Sequence, residues 1–269
     1  MILLFDIGNT NTHLGLANGR RVVKQTDVPT AAWLDGTATA CVRKFVAAAK
    51  LDGVALCSVV PDITPLVRQA IAELGTLGPG PTRNKPHQRA ELELRAPLEL
   101  TPKTLRGVGI DYPKPDTIGP DRLANAVAAR HRFGTPVVVV DFGTAVTFDV
   151  VDQCGNYVGG VIAPGLAAMT DYLHEKTALL PRIKIRAVNS AIGKSTEQAM
   201  LIGAVHGYRG LVRELIAELK HELKSPRLPV VATGSYAKLI AARLPEISAV
   251  APNLTLEGLR LVWMAGTAA

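Results

Sequence analysis

Short apolar runs along the chain alternate with polar turns, and this pattern predicts two similar halves. The first run, residues 2–5, predicts a buried strand that ends in an Asp-x-Gly turn starting at Asp6. The second run, residues 137–140, is continuous in Val, as expected for a strand covered on both faces, and ends in an Asp-x-Gly turn starting at Asp141. In both places a small polar residue and a new strand follow. We interpret this as an internal repeat that reflects the architecture.

The rest of the pattern predicts an α/β fold. Further strands are predicted at residues 12–17, 20–24, 54–60, 146–151, 157–162 and 228–232. Helices are predicted at residues 31–50, 64–74, 120–132, 196–223, 236–244 and 256–265, the last with Thr255 as its N-cap. Residues 75–85 and 95–117 are irregular and contain several prolines, so they predict loops. The second loop divides the chain into domains 1–116 and 117–269.

The composition is typical of a folded globular protein, since 48% of its 269 residues are hydrophobic and 20% are charged. The net charge of +7 is compatible with nucleic acid, a membrane surface, an anionic substrate or simply a basic protein. No run of five Lys or Arg residues occurs, and aromatic residues are not interleaved with basic ones. We therefore expect no nucleic-acid partner.

Cysteine usage and the N-terminal sequence predict a cytoplasmic protein. Cys41, Cys57 and Cys154 are widely spaced with no CxxC motif, which argues against a disulfide framework or a zinc site and favours a reducing compartment. The apolar run at the N-terminus is too short for a signal sequence. No apolar stretch approaches the roughly 20 residues that span a bilayer, so we expect no membrane association.

The two Asp-x-Gly turns have the residue types that bind phosphate. A glycine permits a tight turn and lets a phosphate approach the backbone, while Asn and Thr can donate hydrogen bonds to it. The aspartate can hold a hydrated Mg²⁺, which prefers one or two carboxylates together with phosphate oxygens. Either turn alone is better explained as an ordinary hairpin connection. Because both end a buried strand, we favour a pair of phosphate-binding turns.

A second group of chemistry-bearing residues lies at a predicted helix start, from Gly119 to Arg122. Pro120 suits the first helical position, where its missing N–H has no helical partner. Asp121 is favoured there by the helix dipole alone, but a carboxylate at this place can also accept a proton from a substrate hydroxyl. Arg122 can neutralise a substrate carboxylate or a migrating phosphoryl group.

Together these residues resemble the type III pantothenate kinases. Residues 6–11 resemble the first phosphate motif of that family, residues 119–126 its substrate and catalytic segment, and residues 141–145 its second phosphate motif. Further segments that fit are residues 58–61, 112–113, 157–165, 177–181 and 192–196. The motifs occur in the family order from residue 1 to at least residue 207. No single motif is specific for the family, but the complete set is.

The resemblance implies an α/β fold of two similar actin-like (ribonuclease H-like) halves, with mixed five-stranded sheets flanked by helices and an ATP cleft between them. It implies transfer of the γ-phosphate of ATP to the 4′-hydroxyl of pantothenate, the first step of coenzyme A synthesis. It also implies use of Mg²⁺ and of a monovalent cation, K⁺ or NH₄⁺. A homodimer is the typical assembly of the family.

The resemblance also implies roles for single residues. Asp121 is then the proton acceptor, Asp6 lies near Mg²⁺, and Asp141 holds the monovalent cation. The implied ATP-binding residues are Asp6, Ile7, Gly8, Asn9, Thr10, Asn11, Thr12, His13 and Thr144. The implied pantothenate-binding residues are Tyr112, Gly119, Pro120, Asp121, Arg122 and Thr196.

Two residues depart from the family pattern. Pro120 stands where a small or aliphatic residue is usual, which bears on the shape of the substrate pocket. Ser235 follows Gly234 where a Gly-Gly pair is common near the adenosine, which bears on the adenine contact. Neither change removes a chemical group that the mechanism needs.

Two other functions stay open from the sequence. Another actin-like phosphotransferase or phosphatase, such as a sugar kinase or a polyphosphate hydrolase, would share the phosphate turns and differ in its acceptor pocket. A non-catalytic regulatory factor that binds nucleotide would share them as well. The presence of Asp6, Asp121, Arg122 and Asp141 argues against the regulatory alternative.

Overall fold

The strand-turn-strand repeat folds into two mixed sheets of the same topology. The computed structural model of the chain describes residues 1–47, 49–76 and 96–267. The strands of the first sheet are β1 (Ile2–Ile7), β2 (Asn11–Ala17), β3 (Val22–Pro29), β4 (Gly53–Ser58) and β5 (Leu98–Glu99). They lie in the order β3-β2-β1-β4-β5, with β1 antiparallel to β2 and parallel to β4. The helices of this half of the chain are α1 (Thr37–Val46) and α2 (Thr64–Thr76).

The central strand β1 is apolar on both faces, which is why it lies inside the sheet. Leu3, Phe5 and Ile7 are fully buried and share a core cluster with residues of α1 and α2. Burial of an aliphatic or aromatic side chain of this size contributes roughly 1.5–3 kcal/mol. The strand that carries Asp6 is therefore firmly anchored in the first core.

The second sheet repeats the arrangement of the first. Its strands are β6 (Gly109–Ile110), β7 (Val137–Phe142), β8 (Ala145–Val151), β9 (Asn156–Pro164), β10 (Val230–Gly234) and β11 (Ala249–Val250). They lie in the order β11-β10-β7-β8-β9-β6, with β7 antiparallel to β8 and parallel to β10. The predicted fold class, with two similar α/β halves and mixed sheets, is confirmed.

Among the described residues, the second sheet has one strand more than the predicted five. The additional strand, β6, pairs in parallel with β9 within the segment predicted to be irregular. The backbone N–H of Asp111 donates to the carbonyl of Tyr157 at 3.0 Å and extends this pairing. A strand of two residues is too short to show the alternation of apolar and polar residues by which strands are predicted.

The remaining helices are α3 (Pro120–Phe133), α4 (Leu166–Lys176), α5 (Thr196–Ile202), α6 (Tyr208–Glu222), α7 (Ala237–Ala241) and α8 (Leu254–Thr267). As predicted, α3 begins at Pro120 and ends before Gly134, whose φ of 77° is left-handed. The predicted helical region 196–223 is confirmed, with a π-helical turn (Gly203–Gly207) between α5 and α6. No helix in the described ranges is long and apolar enough to cross a membrane.

Several predicted element limits are wrong. The helix predicted at residues 31–50 is divided into a 3₁₀ turn (Thr30–Trp33) and α1, because Gly36 between them has a φ of 78°. Thr255 lies inside α8 and is not its N-cap. Helix α4 was not predicted at all. The loop predicted at residues 75–85 overlaps the end of α2, and its remainder from residue 77 lies outside the described residues.

The chain forms two compact units. The described parts of Met1–Gly107, Lys114–Ala124 and Thr255–Ala269 make the first unit, and Val108–Pro113 with Asn125–Leu254 make the second. The predicted division into residues 1–116 and 117–269 is simpler than this arrangement, in which the chain returns to the first unit at its C-terminal end.

Helix α8 is attached to the first unit by specific hydrogen bonds. The backbone N–H of Val22 donates to Oε1 of Glu257 at 2.7 Å, and Nη1 of Arg260 donates to the carbonyl of Gly19 at 3.1 Å. Arg260 is 6% exposed and also donates from Nε to Oε2 of Glu257 at 2.6 Å. The buried Arg260 and the half-buried Glu257 together fix the β2–β3 hairpin to the last helix.

Candidate active site

The first Asp-x-Gly turn connects β1 to β2 and presents polar side chains to solvent. The backbone N–H of Gly8 donates to the carbonyl of Asn11 at 3.0 Å and closes the turn. A Cβ at Gly8 would also lie 3.0 Å from that carbonyl, so the tightness of the turn favours glycine. Asn9 and Thr10 at the tip are exposed. Both are predicted ATP-binding residues, and each has a side-chain donor at an exposed position.

Residues that were not predicted as site residues hold this turn from its core side. Oγ1 of Thr30 donates to the carbonyl of Gly8 at 2.6 Å, and the backbone N–H of Thr30 donates to the carbonyl of Thr10 at 3.0 Å. Thr12 is fully buried, and its Oγ1 accepts a hydrogen bond from Nε1 of Trp33 at 3.0 Å. Thr12 therefore supports the turn from the core in this structure. Its predicted contact with ATP stays a prediction, as does that of the fully buried Ile7.

Asp6 lies in a row of polar side chains that crosses the first sheet. Its neighbours in register are Cys57 on β4 and His13 on β2, and His13 pairs in turn with Asp27 on β3. Directly opposed residues of neighbouring strands share one face of the sheet. Nδ1 of His13 lies 2.7 Å from Oδ1 of Asp27, so the predicted ATP-binding histidine has a carboxylate partner.

Cys57 contacts Asp6 and was not predicted as a site residue. Its Sγ donates to Oδ1 of Asp6 at 3.4 Å, and its side chain is fully buried. Burial raises the pKa of the Cys57 thiol well above its usual value, and the negative charges of Asp6 and Asp121 raise it further. The thiol therefore stays protonated and acts as a neutral donor that orients the Asp6 carboxylate.

Mg²⁺ fits Asp6 as part of a site shared with nucleotide phosphates. Within the described ranges, no group of three or more His, Cys, Asp or Glu side chains could hold a metal ion by itself. Mg²⁺ often binds through one or two carboxylates while phosphate oxygens and water supply its other ligands. A single carboxylate oriented by a neutral thiol, one residue before the phosphate turn, is suited to that arrangement.

The second Asp-x-Gly turn connects β7 to β8 and is one residue shorter than the first. The backbone N–H of Gly143 donates to the carbonyl of Ala145 at 3.0 Å, and Gly143 and Thr144 are exposed. The N–H of Gly165, at the end of β9, donates to the carbonyl of Thr144 at 3.1 Å. A Cβ at Gly165 would overlap that carbonyl, so glycine is required for β9 to approach the turn this closely.

Asp141 accepts a hydrogen bond from a buried side-chain amide. Nδ2 of Asn125 donates to Oδ2 of Asp141 at 2.9 Å, and the Asn125 side chain is 1% exposed. Gly234 at the end of β10 has a φ of 88°, and a Cβ there would lie 2.6 Å from Oδ1 of Asp141. Any L side chain at Gly234 would therefore fill the space beside Oδ1. The predicted role of Asp141 as the ligand of a monovalent cation stays a prediction.

Asp121 lies in the first turn of α3, as predicted. Its Oδ1 accepts a hydrogen bond from the backbone N–H of Arg122 at 2.9 Å. Burial raises the pKa of the Asp121 carboxyl, although this hydrogen bond and the charge of Arg122 act in the opposite direction. A Cβ at Gly119 would lie 2.5 Å from Oδ1, so another residue there would have to displace the carboxylate. A carboxylate with a raised pKa has a greater affinity for protons than an exposed one, as a general base requires.

The predicted pantothenate contacts Tyr112 and Thr196 lie on different elements of the second unit. Tyr112 follows β6 and is 37% exposed, and its ring meets the ring of the buried Tyr157 edge-on with centroids 6.2 Å apart. Thr196 is the exposed first residue of α5, behind Ser195, whose Oγ accepts the N–H of Gln198 at 3.2 Å. Their contact with substrate stays a prediction.

Two mixed sheets of one topology, each with an Asp-x-Gly turn after its central strand, define the class of proteins with an actin-like fold. The fold is similar to that of component A of (R)-2-hydroxyglutaryl-CoA dehydratase from Acidaminococcus fermentans, with a TM-score of 0.51 at 13% identity over 100% of this chain and 99% of that one. It is also similar to the ethanolamine utilization protein EutJ from Carboxydothermus hydrogenoformans, with a TM-score of 0.50 at 14% identity over 97% of this chain and 89% of that one. At these identities the likeness shows the fold alone.

The sequence places the chain within one family of this class. Residues 2–218 match the family described as type III pantothenate kinase. A type III pantothenate kinase from Methylacidiphilum infernorum is 40% identical over 97% of this chain and 87% of its own length. A second, from Akkermansia muciniphila, is 42% identical over 96% of both chains. The chain belongs to the type III pantothenate kinase family, which confirms the predicted resemblance.

Proposed function

We propose that this protein transfers the γ-phosphate of ATP to the 4′-hydroxyl of pantothenate, the first step of coenzyme A synthesis, and that it does so in the cytoplasm. The observation that carries the proposal is the half-buried Asp121 carboxyl with a raised pKa, at the start of α3 and within the residues that match the family. The membership in a kinase family implies ATP and a divalent metal, and the two Asp-x-Gly turns supply donors for phosphate.

The two turns bind the phosphates of ATP in this proposal. Asn9 and Thr10 of the first turn and Thr144 of the second donate to phosphate oxygens. Asp6 binds the hydrated Mg²⁺, and the protonated thiol of Cys57 orients its carboxylate. When bound, Mg²⁺ neutralises charge on the phosphates. The remaining contribution of the chain is to hold the phosphates in line with the acceptor.

Asp121 accepts the proton of the 4′-hydroxyl. As this proton moves to the carboxylate, the hydroxyl oxygen bonds to the γ-phosphorus, and the bond from that phosphorus to the oxygen bridging to the β-phosphorus breaks. ADP leaves with the electron pair. Pantothenate is held by Tyr112, Gly119, Pro120, Arg122 and Thr196. Arg122 neutralises either the pantothenate carboxylate or the migrating phosphoryl group.

A monovalent cation, K⁺ or NH₄⁺, binds at Asp141 in this proposal. The supporting geometry is the carboxylate itself, with Oδ2 fixed by Asn125 and Oδ1 beside the side-chain-free Gly234. A cation at Asp141 belongs to the same Asp-x-Gly turn as Thr144, which binds phosphate in this proposal. It reduces the negative charge of the segment that must receive ATP.

The first test is phosphorylation of pantothenate by the purified protein with ATP and Mg²⁺, followed by mass spectrometry of the product. We expect 4′-phosphopantothenate in K⁺ or NH₄⁺, and much less in Na⁺ at the same ionic strength. Pantothenate without its 4′-hydroxyl is the matched control and should give no product. ATP binding without product in any of the three cations would contradict the proposed acceptor, and a panel of sugars would then test the sugar-kinase alternative.

We also propose that the protein is a homodimer that uses the outer face of α4. Met169, Tyr172 and Leu173 are exposed at 37%, 60% and 42%, and their spacing of three and four residues puts them on one helix face. Exposed apolar patches of this kind often mark protein interfaces. Sedimentation velocity should give a dimer for the wild type and a monomer for Tyr172→Glu. Leu34→Glu, at a 72% exposed apolar position of the first unit, should remain dimeric. A monomeric wild type would overturn this assignment.

A further inference from the structure

Tyr112 lies directly after β6 at the edge of the second sheet, where the backbone before it is fixed by β9. Ile110 pairs in register with Tyr157 of β9, and the backbone N–H of Asp111 donates to the carbonyl of Tyr157 at 3.0 Å. Tyr112 is the next residue and is 37% exposed. All of these residues belong to the second compact unit, so their contacts lie within one unit.

Two residues of β9 support the side chain of Tyr112. The ring of Tyr157 meets the Tyr112 ring edge-on, with centroids 6.2 Å apart and planes at 66°, a geometry at which aromatic rings attract each other. A Cβ at Gly159 would lie 3.5 Å from Cε2 of Tyr112, so the ring lies against a backbone position that has no side chain. The φ of 130° at Gly159 is rare for L residues, so glycine is favoured there and the space stays open for the ring.

The Tyr157 ring is itself held in place. Its side chain is 1% exposed, and its hydroxyl donates to Oδ1 of the fully buried Asp149 at 3.4 Å. This distance is long for a hydroxyl donor, so burial among close-packed neighbours is the main constraint on the ring. Tyr157 therefore presents a fixed surface against which the partly exposed Tyr112 packs.

A supported side chain binds a ligand better than a mobile one. A tyrosine at a surface normally changes rotamer within nanoseconds, and a ligand that must first immobilise such a side chain loses about two- to tenfold in affinity. Tyr112 has this support from β9 before any substrate is present. Its exposed surface is then available to a ligand in one defined orientation.

We propose that Tyr157 is a positioning residue that holds Tyr112 in the orientation that binds pantothenate. This inference rests on the proposed function, in which Tyr112 contacts pantothenate. Tyr157 is too deeply buried to reach the substrate and acts through the Tyr112 ring. Its contribution is to the affinity for pantothenate, and ATP binding and the chemical step do not depend on it.

The test compares Tyr157→Leu with wild type in kcat and in the KM for each substrate. We expect the KM for pantothenate to rise about three- to tenfold, with kcat and the KM for ATP within about twofold of wild type. Tyr157→Phe keeps the ring that supports Tyr112 and should restore the KM for pantothenate. The matched control is Phe148→Leu, which removes a fully buried aromatic ring from the core cluster of the same unit. It should lower the melting temperature and leave the KM for pantothenate unchanged.

A second readout does not depend on activity. Incorporation of 3-fluorotyrosine labels the five tyrosines of the chain, and the ¹⁹F resonance that is absent from Tyr112→Phe belongs to Tyr112. Without substrate, this resonance should differ in chemical shift from free fluorotyrosine in wild type, Tyr157→Phe and Phe148→Leu. In Tyr157→Leu it should narrow and move toward the free value, because the Tyr112 ring has lost its support.

The two readouts separate failure of this inference from failure of the proposed function. If the Tyr112 resonance changes in Tyr157→Leu as expected but wild type gives no pantothenate product, the proposed acceptor fails while the support of Tyr112 by Tyr157 stands. If wild type makes the product and Tyr157→Leu has an unchanged KM for pantothenate, the inference is overturned and the proposed function stands. An equal rise of this KM in Phe148→Leu would also overturn the inference.

Circular dichroism decides whether Tyr157→Leu folds. If it does not, Tyr157→Met fills more of the same space without an aromatic ring and is measured in its place, with the same expected changes. A wild-type KM for pantothenate and a wild-type Tyr112 resonance in that variant would overturn the proposal.

Discussion

Replacement of Asp121 by Asn is expected to lower kcat by about 10²- to 10⁴-fold, which is the usual contribution of a general base. The amide keeps the shape of the carboxyl but cannot accept the hydroxyl proton. ATP binding should persist, because the proposed phosphate contacts lie in the two Asp-x-Gly turns. Kinetics of ADP release and calorimetric titration with ATP measure the two quantities. Asp116→Asn, at an exposed acid just before the same helix, is the control and should keep full activity.

The raised pKa of Asp121 adds two checks to this prediction. In wild type, the rate should fall with acidification through a pKa above the ordinary value of about 3.9 for Asp, because the protonated carboxyl cannot act as a base. Since the folded-state pKa is raised, ionisation of Asp121 opposes folding once the pH exceeds its unfolded pKa. Asp121→Asn should therefore melt at the same or a higher temperature near neutral pH. Full activity in this variant, or a marked fall in melting temperature, would sink the assignment.

Replacement of Gly165 by Ala is expected to disrupt the second phosphate turn. The added Cβ would overlap the carbonyl of Thr144 and lie 2.5 Å from that of Gly143, and neither backbone group can move as a flexible side chain does. Overpacking of this kind costs roughly 1–3 kcal/mol of stability. A displacement of about 1 Å in the turn can reduce the rate by about 10²-fold. Chemical denaturation and steady-state kinetics with varied ATP measure the two effects.

The matched control for this variant is Gly210→Ala in α6. A Cβ at Gly210 meets nothing within 4 Å, so the substitution adds a methyl group in open space. Alanine in a helix interior is favoured over glycine by about 0.5–1 kcal/mol. Gly210→Ala should therefore be as stable as wild type or more so, with unchanged kinetics. If Gly165→Ala behaved like this control, the tight approach of β9 to the turn would have no functional importance.

The sequence predicted the parts of this fold that are determined by residues close to one another along the chain. The strand limits around Asp6 and Asp141 were accessible because an uninterrupted apolar run followed by Asp-x-Gly is a local signal. The start of α3 was accessible through Pro120. Helix α1 was predicted too long because Gly36 inside a helical pattern does not reveal whether its φ is positive. The short strand β6 could not be predicted, since it forms only by backbone pairing with β9.

The supporting residues of the candidate site were missed for a different reason. Thr30, Cys57, Asn125 and Gly165 are each distant in sequence from the group that they contact, or lie on another element. Nothing close to them in the sequence shows which group each of them contacts. The strand register brings Cys57 beside Asp6, and the close approach of two loops makes glycine necessary at position 165. Such partners become visible only when the tertiary arrangement is known.

The attachment of α8 to the first unit has a consequence for synthesis of the protein. Glu257 and Arg260 hold the β2–β3 hairpin, yet the ribosome makes them after the entire second unit. During translation the hairpin is therefore without these partners while the second unit can already fold as it emerges. Synthesis of the first unit therefore begins first, but this unit is complete only after α8 has been made. Premature termination before α8 would damage the N-terminal unit, although every strand of its sheet had been translated.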